Sequence, residues 1–112
     1  MTKLANRSYS RYARDAAKLL GLMVRSARIE RGFTIADVAE RAGISRGLVH
    51  RIENGEMGSS IGAAFELAAI VGLRLFEAEH STLAHQLAME HKKLSLLPHS
   101  VRTGTTKVID DF

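Results

Sequence analysis

Three donor-rich side chains surround one glycine in the stretch RAGISRGLVHRIENG, residues 41–55. Arg46 precedes Gly47, and His50 and Arg51 follow that glycine by three and four residues, a spacing that places side chains on one face of a helix. An arginine guanidinium can donate two hydrogen bonds to guanine O6 and N7, and histidine can donate to a base or a phosphate. These residue types at this spacing predict a helix face that can donate several hydrogen bonds, and bases and phosphates of DNA are acceptors that such a face fits.

Gly47 is the unusual residue of this stretch, because a glycine inside a helix costs about 1 kcal/mol relative to alanine. Without a side chain at this position, the helix can approach a duplex closely. Simple tolerance of glycine near the start of a helix is the alternative interpretation. His50 likewise either bonds a base or phosphate or is merely exposed to solvent.

Helix-start and helix-stop residues predict two short helices around a tight turn. Thr34 is the expected N-cap of the earlier helix, with Asp37 three residues later in the capping-box position. Gly43 ends that helix, Ser45 caps the later one, and Gly55 follows its end. Two helices of about eight or nine residues joined by GIS have the helix-turn-helix layout, in which the later helix enters the major groove.

Three further amphipathic segments complete an all-α prediction. A long helix over about residues 11–31 ends at Gly32, and Ser60 caps a helix that follows the later short one. The segment LRLF at 73–76 is ambiguous between a last helical turn and an extended segment. The helical period predicts one buried face on each helix. The predicted residues are Leu20, Met23, Val24 and Ala27 of the long helix, Ile35, Val38, Ala39 and Ala42 and then Val49 and Ile52 of the short pair, and Ile61, Ala64, Phe65, Ala68 and either Val71 or Gly72 of the next helix.

A last helix is predicted from Ser81 or Thr82 to Leu97, before Pro98. Its apolar stripe is narrow and interrupted by Glu90, which suits packing on a partner or on a second stripe of the long helix. The narrow stripe consists of Leu83, Leu87, Leu94 and Leu97, and the second stripe of the long helix consists of Leu19, Leu22 and Ile29.

Composition and charge exclude several classes of protein. The 112 residues include no cysteine, which removes disulfides and thiolate zinc sites and fits a reducing cytoplasm. No apolar run reaches the roughly 18–20 residues of a membrane span, and the N-terminus lacks the apolar segment of a secretory signal. Residues 1–31 hold eight basic residues against two acidic ones. This excess favours a polyanionic partner such as nucleic acid, and a plain solvated surface explains it equally well.

We expect no enzymatic activity, no cofactor and no metal. His80, His85 and His91 lie five and six residues apart, which places them on different faces of one helix. The chain has no glycine-rich phosphate loop and no nucleophile motif, and we find no catalytic residue. Its two tyrosines and four phenylalanines are too scattered for the stacking platforms of single-stranded RNA binding.

Residues 20–73 resemble the helix-turn-helix family of phage repressors and bacterial xenobiotic-response-element (XRE) regulators. The matching residues are RxxxG at 28–32, Thr34, AxxAGIS at 39–45 and VxRIENG at 49–55. The resemblance implies a lambda-repressor-like all-α bundle of about five helices, with a C-terminal helical extension and a flexible tail. It also implies a sequence-specific repressor that binds double-stranded operator DNA as a homodimer.

The resemblance assigns roles to individual residues. Arg28 and Glu53 match a buried ion pair that joins the first helix to the third. Two departures put the affinity for DNA in doubt, because Ile35 replaces a frequent phosphate-binding glutamine and Glu56 lies in a loop that is often basic. Thr34 and Asn54 also cap helix ends, which is a structural alternative to a phosphate contact. The residues at DNA-facing positions are Thr34, Ser45, Arg46, Gly47, His50, Arg51 and Asn54.

The order of three segments resembles antitoxins of the HipB type, which repress their own operon and bind a HipA-type kinase toxin. These segments are SRYARDAAKLLGLMVRSARIERG, then GEMGSSIGAAFELAAIVGLRLFE, then LLPHSVR to DDF. We therefore expect a basic arm at 1–14, a DNA-binding domain at 15–76, a helix for dimerisation or partner binding at 77–98 and a flexible tail at 99–112. A stand-alone repressor without a toxin is one alternative. A protein-interaction module that has lost DNA binding is the other, and Ile35 and Glu56 favour it.

Overall fold

The computed structural model describes residues 8–76 and 80–101 of the chain. These residues form five α-helices and no strand, which confirms the predicted all-α class. None of the described helices is both long enough and apolar enough to cross a membrane. The helices are α1 (Arg11–Glu30), α2 (Ile35–Ala42), α3 (Arg46–Glu53), α4 (Ile61–Ile70) and α5 (His80–Ser95).

Side-chain caps begin α2, α3 and α4 at the residues predicted from the sequence. The hydroxyl oxygens of Thr34, Ser45 and Ser60 accept hydrogen bonds from backbone N–H groups three residues later, at 3.0, 3.0 and 3.2 Å. Gly43 ends α2 with a φ of 70°, a left-handed conformation that a side chain would strain. Residues within three positions of each helix end therefore determine these helix boundaries.

The core lies among the first four helices. α1 packs against α3, and α2 packs against both α3 and α4. The predictions for the two short helices are confirmed at Val38, Ala39, Val49 and Ile52, which are all buried. The largest fully buried side chains are Leu67, Val24, Val38, Val49 and Val71.

The predicted buried faces of α1 and α4 are partly wrong. Met23 is 40% exposed and belongs to the outer stripe of α1, while Ile61 and Phe65 of α4 are 73% and 42% exposed. Leu67 was not predicted, yet it is fully buried. The sequence IGAAFELAAI is apolar almost all round, so its periodicity cannot select the buried face, and packing against α2 selects it.

The last helix, α5, starts one residue before the predicted Ser81 and ends before the predicted Leu97. The backbone N–H groups of Leu96 and Leu97 bond carbonyls three residues earlier, which marks a closing turn. The ambiguous segment LRLF at 73–76 is irregular and ends in a turn rather than forming a helix or a strand. Most of the predicted tail, and residues 1–7 of the predicted arm, lie outside the described residues.

Gly21 marks the closest approach of α1 to α3, a contact that the sequence analysis missed. A Cβ atom at this position would lie 2.5 Å from the carbonyl oxygens of both Ile52 and Glu53. At Gly55, just after α3, a Cβ would lie 2.8 Å from the Cα of Lys18. The two glycines let α1 lie directly on the C-terminal turn of α3.

Gly21→Ala should therefore destabilise the protein. Overpacking typically costs about 1–3 kcal/mol, and a Cβ facing two backbone carbonyls should reach the upper part of that range. This exceeds the gain of about 1 kcal/mol that alanine brings in helix propensity. Urea unfolding followed by circular dichroism measures the change in the free energy of unfolding.

Gly62→Ala is the matched control, because Gly62 also lies in a helix but its Cβ would meet only the Ser60 hydroxyl, at 3.9 Å. We expect this variant to gain up to about 1 kcal/mol of stability. Equal stabilisation by both substitutions would contradict the close packing of α1 on α3.

Candidate nucleic-acid interface

The structure separates α3 into a buried side and an exposed side. Val49, Ile52 and Glu53 are buried at 0%, 4% and 7% relative exposure. The opposite side presents Arg46, Gly47, His50 and Arg51, all of them exposed, and we call these four residues the α3 outer face. The hydrophobic period of α3 thus leaves the donor-rich side chains in solvent, where a duplex can reach them.

Arg51 lies over Gly47, one helical turn back along the outer face. A Cβ added at Gly47 would be 3.5 Å from Nη1 of Arg51 and 3.9 Å from Oγ of Ser45. Both distances are ordinary van der Waals contacts, so the fold itself does not require a glycine at this position. The structure thus brings together three of the predicted site residues, Ser45, Gly47 and Arg51.

Three of the predicted contact residues, Thr34, Ser45 and Asn54, lie at helix ends. Thr34 and Ser45 are exposed N-caps whose hydroxyl oxygens already accept a backbone N–H bond. Each O–H group can still donate to a phosphate oxygen, so capping and phosphate binding are compatible. Asn54 is the exposed C-cap of α3, and its backbone N–H donates to the His50 carbonyl at 2.9 Å.

The capping box that starts α2 also shifts the pKa of the Asp37 carboxyl. The backbone N–H of Thr34 donates to the Asp37 carboxylate at 2.8 Å, and this bond, helped by the Thr34 side chain and by the charge of Arg41, lowers the pKa of Asp37 below its ordinary value. A carboxyl whose pKa is lower in the folded than in the unfolded protein stabilises the fold at pH values above its ordinary, unfolded-state pKa. That contribution is lost as the pH falls through the lowered folded-state pKa. The ionised Asp37 therefore stabilises the start of α2 at neutral pH.

Arg28 and Glu53 form the ion pair that the family resemblance implied. Arg28 donates from Nε to Glu53 Oε2 at 2.7 Å and from Nη2 to Oε1 at 3.2 Å, a bidentate geometry. Its Nη1 donates to the Phe33 carbonyl at 2.9 Å. One guanidinium thus ties α1 to the connection before α2 and to the C-terminal end of α3. The side chains are 11% and 5% exposed, so the pair is largely shielded from solvent.

The two departures from the family pattern have different surroundings. Ile35 is half-buried and packs against the hydrophobic core, so its side chain has a packing role in place of a polar one. Glu56 is exposed in the loop after α3. In the same loop, the Ser59 hydroxyl oxygen is buried without a hydrogen-bond partner among the described residues.

A comparison with protein families bears on this site. A family model described as helix-turn-helix matches residues 24–77, which include the last third of α1 and all of α2, α3 and α4. The match covers just under half of the chain, indicates that this segment is a helix-turn-helix, and suggests a DNA-binding transcription regulator. No curated protein and no solved structure matches the chain. Within residues 8–76 and 80–101, no cluster of three histidine, aspartate or glutamate side chains could hold a metal ion.

Glu53→Ala should destabilise the protein by about 3–5 kcal/mol, because it leaves the buried Arg28 guanidinium without its carboxylate. Chemical denaturation measures this loss. Glu56→Ala is the matched control, since Glu56 is exposed, and we expect its effect to stay within about 0.5 kcal/mol. Similar small effects in both variants would show that the Arg28–Glu53 pair does not hold α1 on α3.

Proposed function

We propose that this protein is a sequence-specific transcriptional repressor that binds double-stranded operator DNA through the α3 outer face. The exposure of Arg46, His50 and Arg51 around Gly47 carries this proposal. The helix-turn-helix match over residues 24–77 supports it independently. Such a role belongs in the cytoplasm, the compartment expected from the sequence.

In this proposal, the two arginines of the α3 outer face recognise the bases. An α-helix of about 10–12 Å diameter fits the major groove, which is about 12 Å wide. Arg46 and Arg51 each offer a guanidinium that can bond guanine bidentately, and such a pair discriminates between bases by about 1–3 kcal/mol. His50 lies between them in the sequence and adds a donor to a base or a phosphate. The close approach requires Gly47, whose position carries no side chain.

Phosphate contacts orient the helix. The hydroxyl groups of Thr34 and Ser45 and the side-chain amide of Asn54 lie at exposed helix ends and can donate to phosphate oxygens. Exposed arginines at the start of α1, Arg11 and Arg14, add positive charge that the loop around Glu56 does not supply. These groups fix position and register, while Arg46 and Arg51 read the sequence.

The protein acts as a homodimer in this proposal. A single eight-residue α3 contacts few base pairs, which limits its specificity. Two copies can read two half-sites about 34–36 Å apart, one helical turn of DNA, on a palindromic operator. A repressor of this kind occludes the promoter that contains its operator.

An antitoxin role is the second candidate, in which the repressor controls its own operon and binds a HipA-type kinase toxin. The observation in its favour is the helix α5, which follows the DNA-binding segment and presents exposed leucines to a partner. Co-purification with the product of the adjacent gene tests it. If the adjacent gene encodes no kinase-like protein, the result would contradict the antitoxin role and favour a stand-alone repressor.

The central experiment measures binding to the DNA upstream of the protein's own gene by fluorescence anisotropy at several salt concentrations. Wild-type protein should bind this DNA more tightly than a scrambled duplex and weaken steeply as salt rises. Arg46→Ala/Arg51→Ala should lose at least about 10-fold in affinity for the operator, because each bidentate pair contributes about 1–3 kcal/mol.

A control variant, Arg74→Ala/Lys92→Ala, removes the same charge from exposed positions outside α3. Its affinity should fall only slightly and equally for both duplexes, since it changes the general electrostatic attraction alone. If the two double variants bind alike, the α3 outer face does not read the sequence. Weak wild-type binding that ignores sequence would favour the protein-interaction module.

Gly47→Ala should separate stability from recognition. Alanine improves helix propensity by up to about 1 kcal/mol, and its Cβ would meet Arg51 Nη1 only at ordinary contact distance, 3.5 Å. The variant should therefore be at least as stable as wild type, yet bind the operator at least about 10-fold more weakly because the methyl group keeps α3 from the groove. Unchanged operator affinity would leave Gly47 as a merely tolerated glycine.

A further inference from the structure

The side of α1 that faces away from the core carries three apolar side chains and one serine at the spacing of a coiled-coil seam. They recur at intervals of three, four and three residues, which places them on one face of the helix. Leu19 and Leu22 are each 58% exposed and Ile29 is 57% exposed. Apolar side chains that share one exposed face, unlike singly scattered ones, indicate a surface for a partner. We call this set the α1 outer seam, and it consists of Leu19, Leu22, Ser26 and Ile29.

The seam borders a shallow groove within the first four helices. Side chains of α1, among them Leu19, Leu22 and Met23, line this groove together with Leu73, which follows α4. Its volume is about 390 Å³, and it is open to solvent rather than enclosed. An open groove leaves much of a small ligand uncovered, but it accepts the ridge of side chains along a second helix. The shape of this surface therefore favours a helical occupant.

Cations follow one edge of the seam. Lys18 and Arg25 each directly precede a seam residue and lie seven residues apart, and Arg11 lies seven residues before Lys18. The three side chains therefore share one heptad position beside the seam, a position at which charge selects the partner of a coiled coil. All three are exposed, and none of them belongs to an ion pair among the described residues. We call Arg11, Lys18 and Arg25 the basic flank.

We infer that the α1 outer seam docks an acidic amphipathic helix of a partner protein. The apolar face of that helix covers the seam and the groove beside it, and carboxylates along its edge pair with the basic flank. From Leu19 to Ile29 the seam is about 15 Å long, so a partner helix of roughly three turns spans it. This inference goes beyond the proposed repressor and does not depend on DNA binding.

The charges of α1 disfavour the α1 helix of a second copy as the occupant. In an antiparallel pair of α1 helices, the two basic flanks would face each other, and like charges at these positions repel. In a parallel pair, each basic flank would face the opposite edge of the seam, where Met23 and Glu30 offer one carboxylate. A helix with acidic residues along its edge complements all three cations.

A nucleic acid complements the cations but not the seam. Phosphate oxygens can accept hydrogen bonds from Lys18 and Arg25. The charged sugar-phosphate backbone offers no apolar surface to Leu22 and Ile29, which would lie against it. The combination of apolar seam and basic flank therefore favours a protein segment.

Fluorescence anisotropy of two labelled synthetic peptides with the full-length chain tests the inference. Both peptides are amphipathic helices of about three heptads with leucines in the seam, and the edge positions carry glutamates in one peptide and lysines in the other. Wild-type protein should bind the glutamate peptide at least about 10-fold more tightly than the lysine peptide. Lys18→Glu/Arg25→Glu should reverse this preference, because it makes most of the flank acidic.

Arg46→Glu/Arg51→Glu is the matched control for charge. It reverses the same number of cations on the α3 outer face and should keep the preference for the glutamate peptide. Circular dichroism should show both charge variants folded, because all four substituted side chains are exposed. A reversal of peptide preference in this control as well would reduce the effect to net charge and overturn the inference.

Leu22→Ser/Ile29→Ser tests the apolar part of the surface. This variant should bind the glutamate peptide at least about 10-fold more weakly than wild type, since it removes the apolar contact. Leu87→Ser/Leu96→Ser is the matched control, because these leucines are also exposed, at 61% and 79%, and lie outside α1. Its affinity for the glutamate peptide should equal that of wild type, and an equal loss in both variants would contradict docking on the seam.

The remaining outcomes distinguish the other occupants. If wild-type protein binds both peptides alike and reversal of the flank weakens only DNA binding, the basic flank contacts phosphates and the inference is wrong. If sedimentation equilibrium shows a dimer that the seam variant dissociates, the seam belongs to a second copy and the inference is equally wrong. A charge-dependent peptide preference in a chain that binds no operator would sustain this inference and remove the repressor.

Discussion

The orientation of α3 depends on how closely α1 approaches its C-terminal turn. Gly21 lies against the carbonyl oxygens of Ile52 and Glu53, where no side chain fits. At the same place, Arg28 of α1 holds the Glu53 carboxylate with two hydrogen bonds. The glycine sets the distance between the helices, and the ion pair sets their rotation and register. A buried ion pair contributes little net stability but fixes geometry, which suits a helix that must be presented at a defined angle.

In this arrangement, the side chains on the opposite side of α3 take no part in the core or in the ion pair. Val49 and Ile52 fill the core and Glu53 pairs with Arg28, so every inward position of α3 is occupied. The outward residues can therefore vary in type without changing the fold. In the proposed repressor, changes at Arg46 or Arg51 would alter the operator that is bound while the scaffold stays intact. Ile35 illustrates the converse, because its side chain packs against the core at the position where the family resemblance leads us to expect a phosphate-binding glutamine.

The two parts of the chain differ in how they obtain their stability. The first four helices share a core in which Val24, Val38, Val49 and Leu67 are fully buried. The helix α5 has no such residue and exposes its leucines. The first part therefore has a hydrophobic core of its own, whereas α5 contributes no buried side chain.

The sequence by itself determined the helices and their ends. Thr34, Ser45 and Ser60 cap their helices through hydrogen bonds that span three residues, and Gly43 ends α2 through its own backbone conformation, so short windows of sequence contain the whole cause. Val49 and Ile52 were also identifiable, because α3 has a clear polar side. Resemblance, not periodicity, indicated that Arg28 would meet Glu53, since a pair 25 residues apart leaves no local signal.

Only the tertiary structure decided the rest. The buried face of α4 could not be identified from a nearly uniform apolar sequence, and packing against α2 selected Leu67 over Ile61 and Phe65. Gly21 looked like any glycine inside a helix until α3 was placed against it. The position of the Arg51 guanidinium over Gly47 likewise depends on a side-chain conformation that the amino-acid sequence does not specify. In each case the deciding contact depends on how atoms are placed in space by helix packing and side-chain conformation. The pattern of neighbouring residues along the chain does not contain that placement.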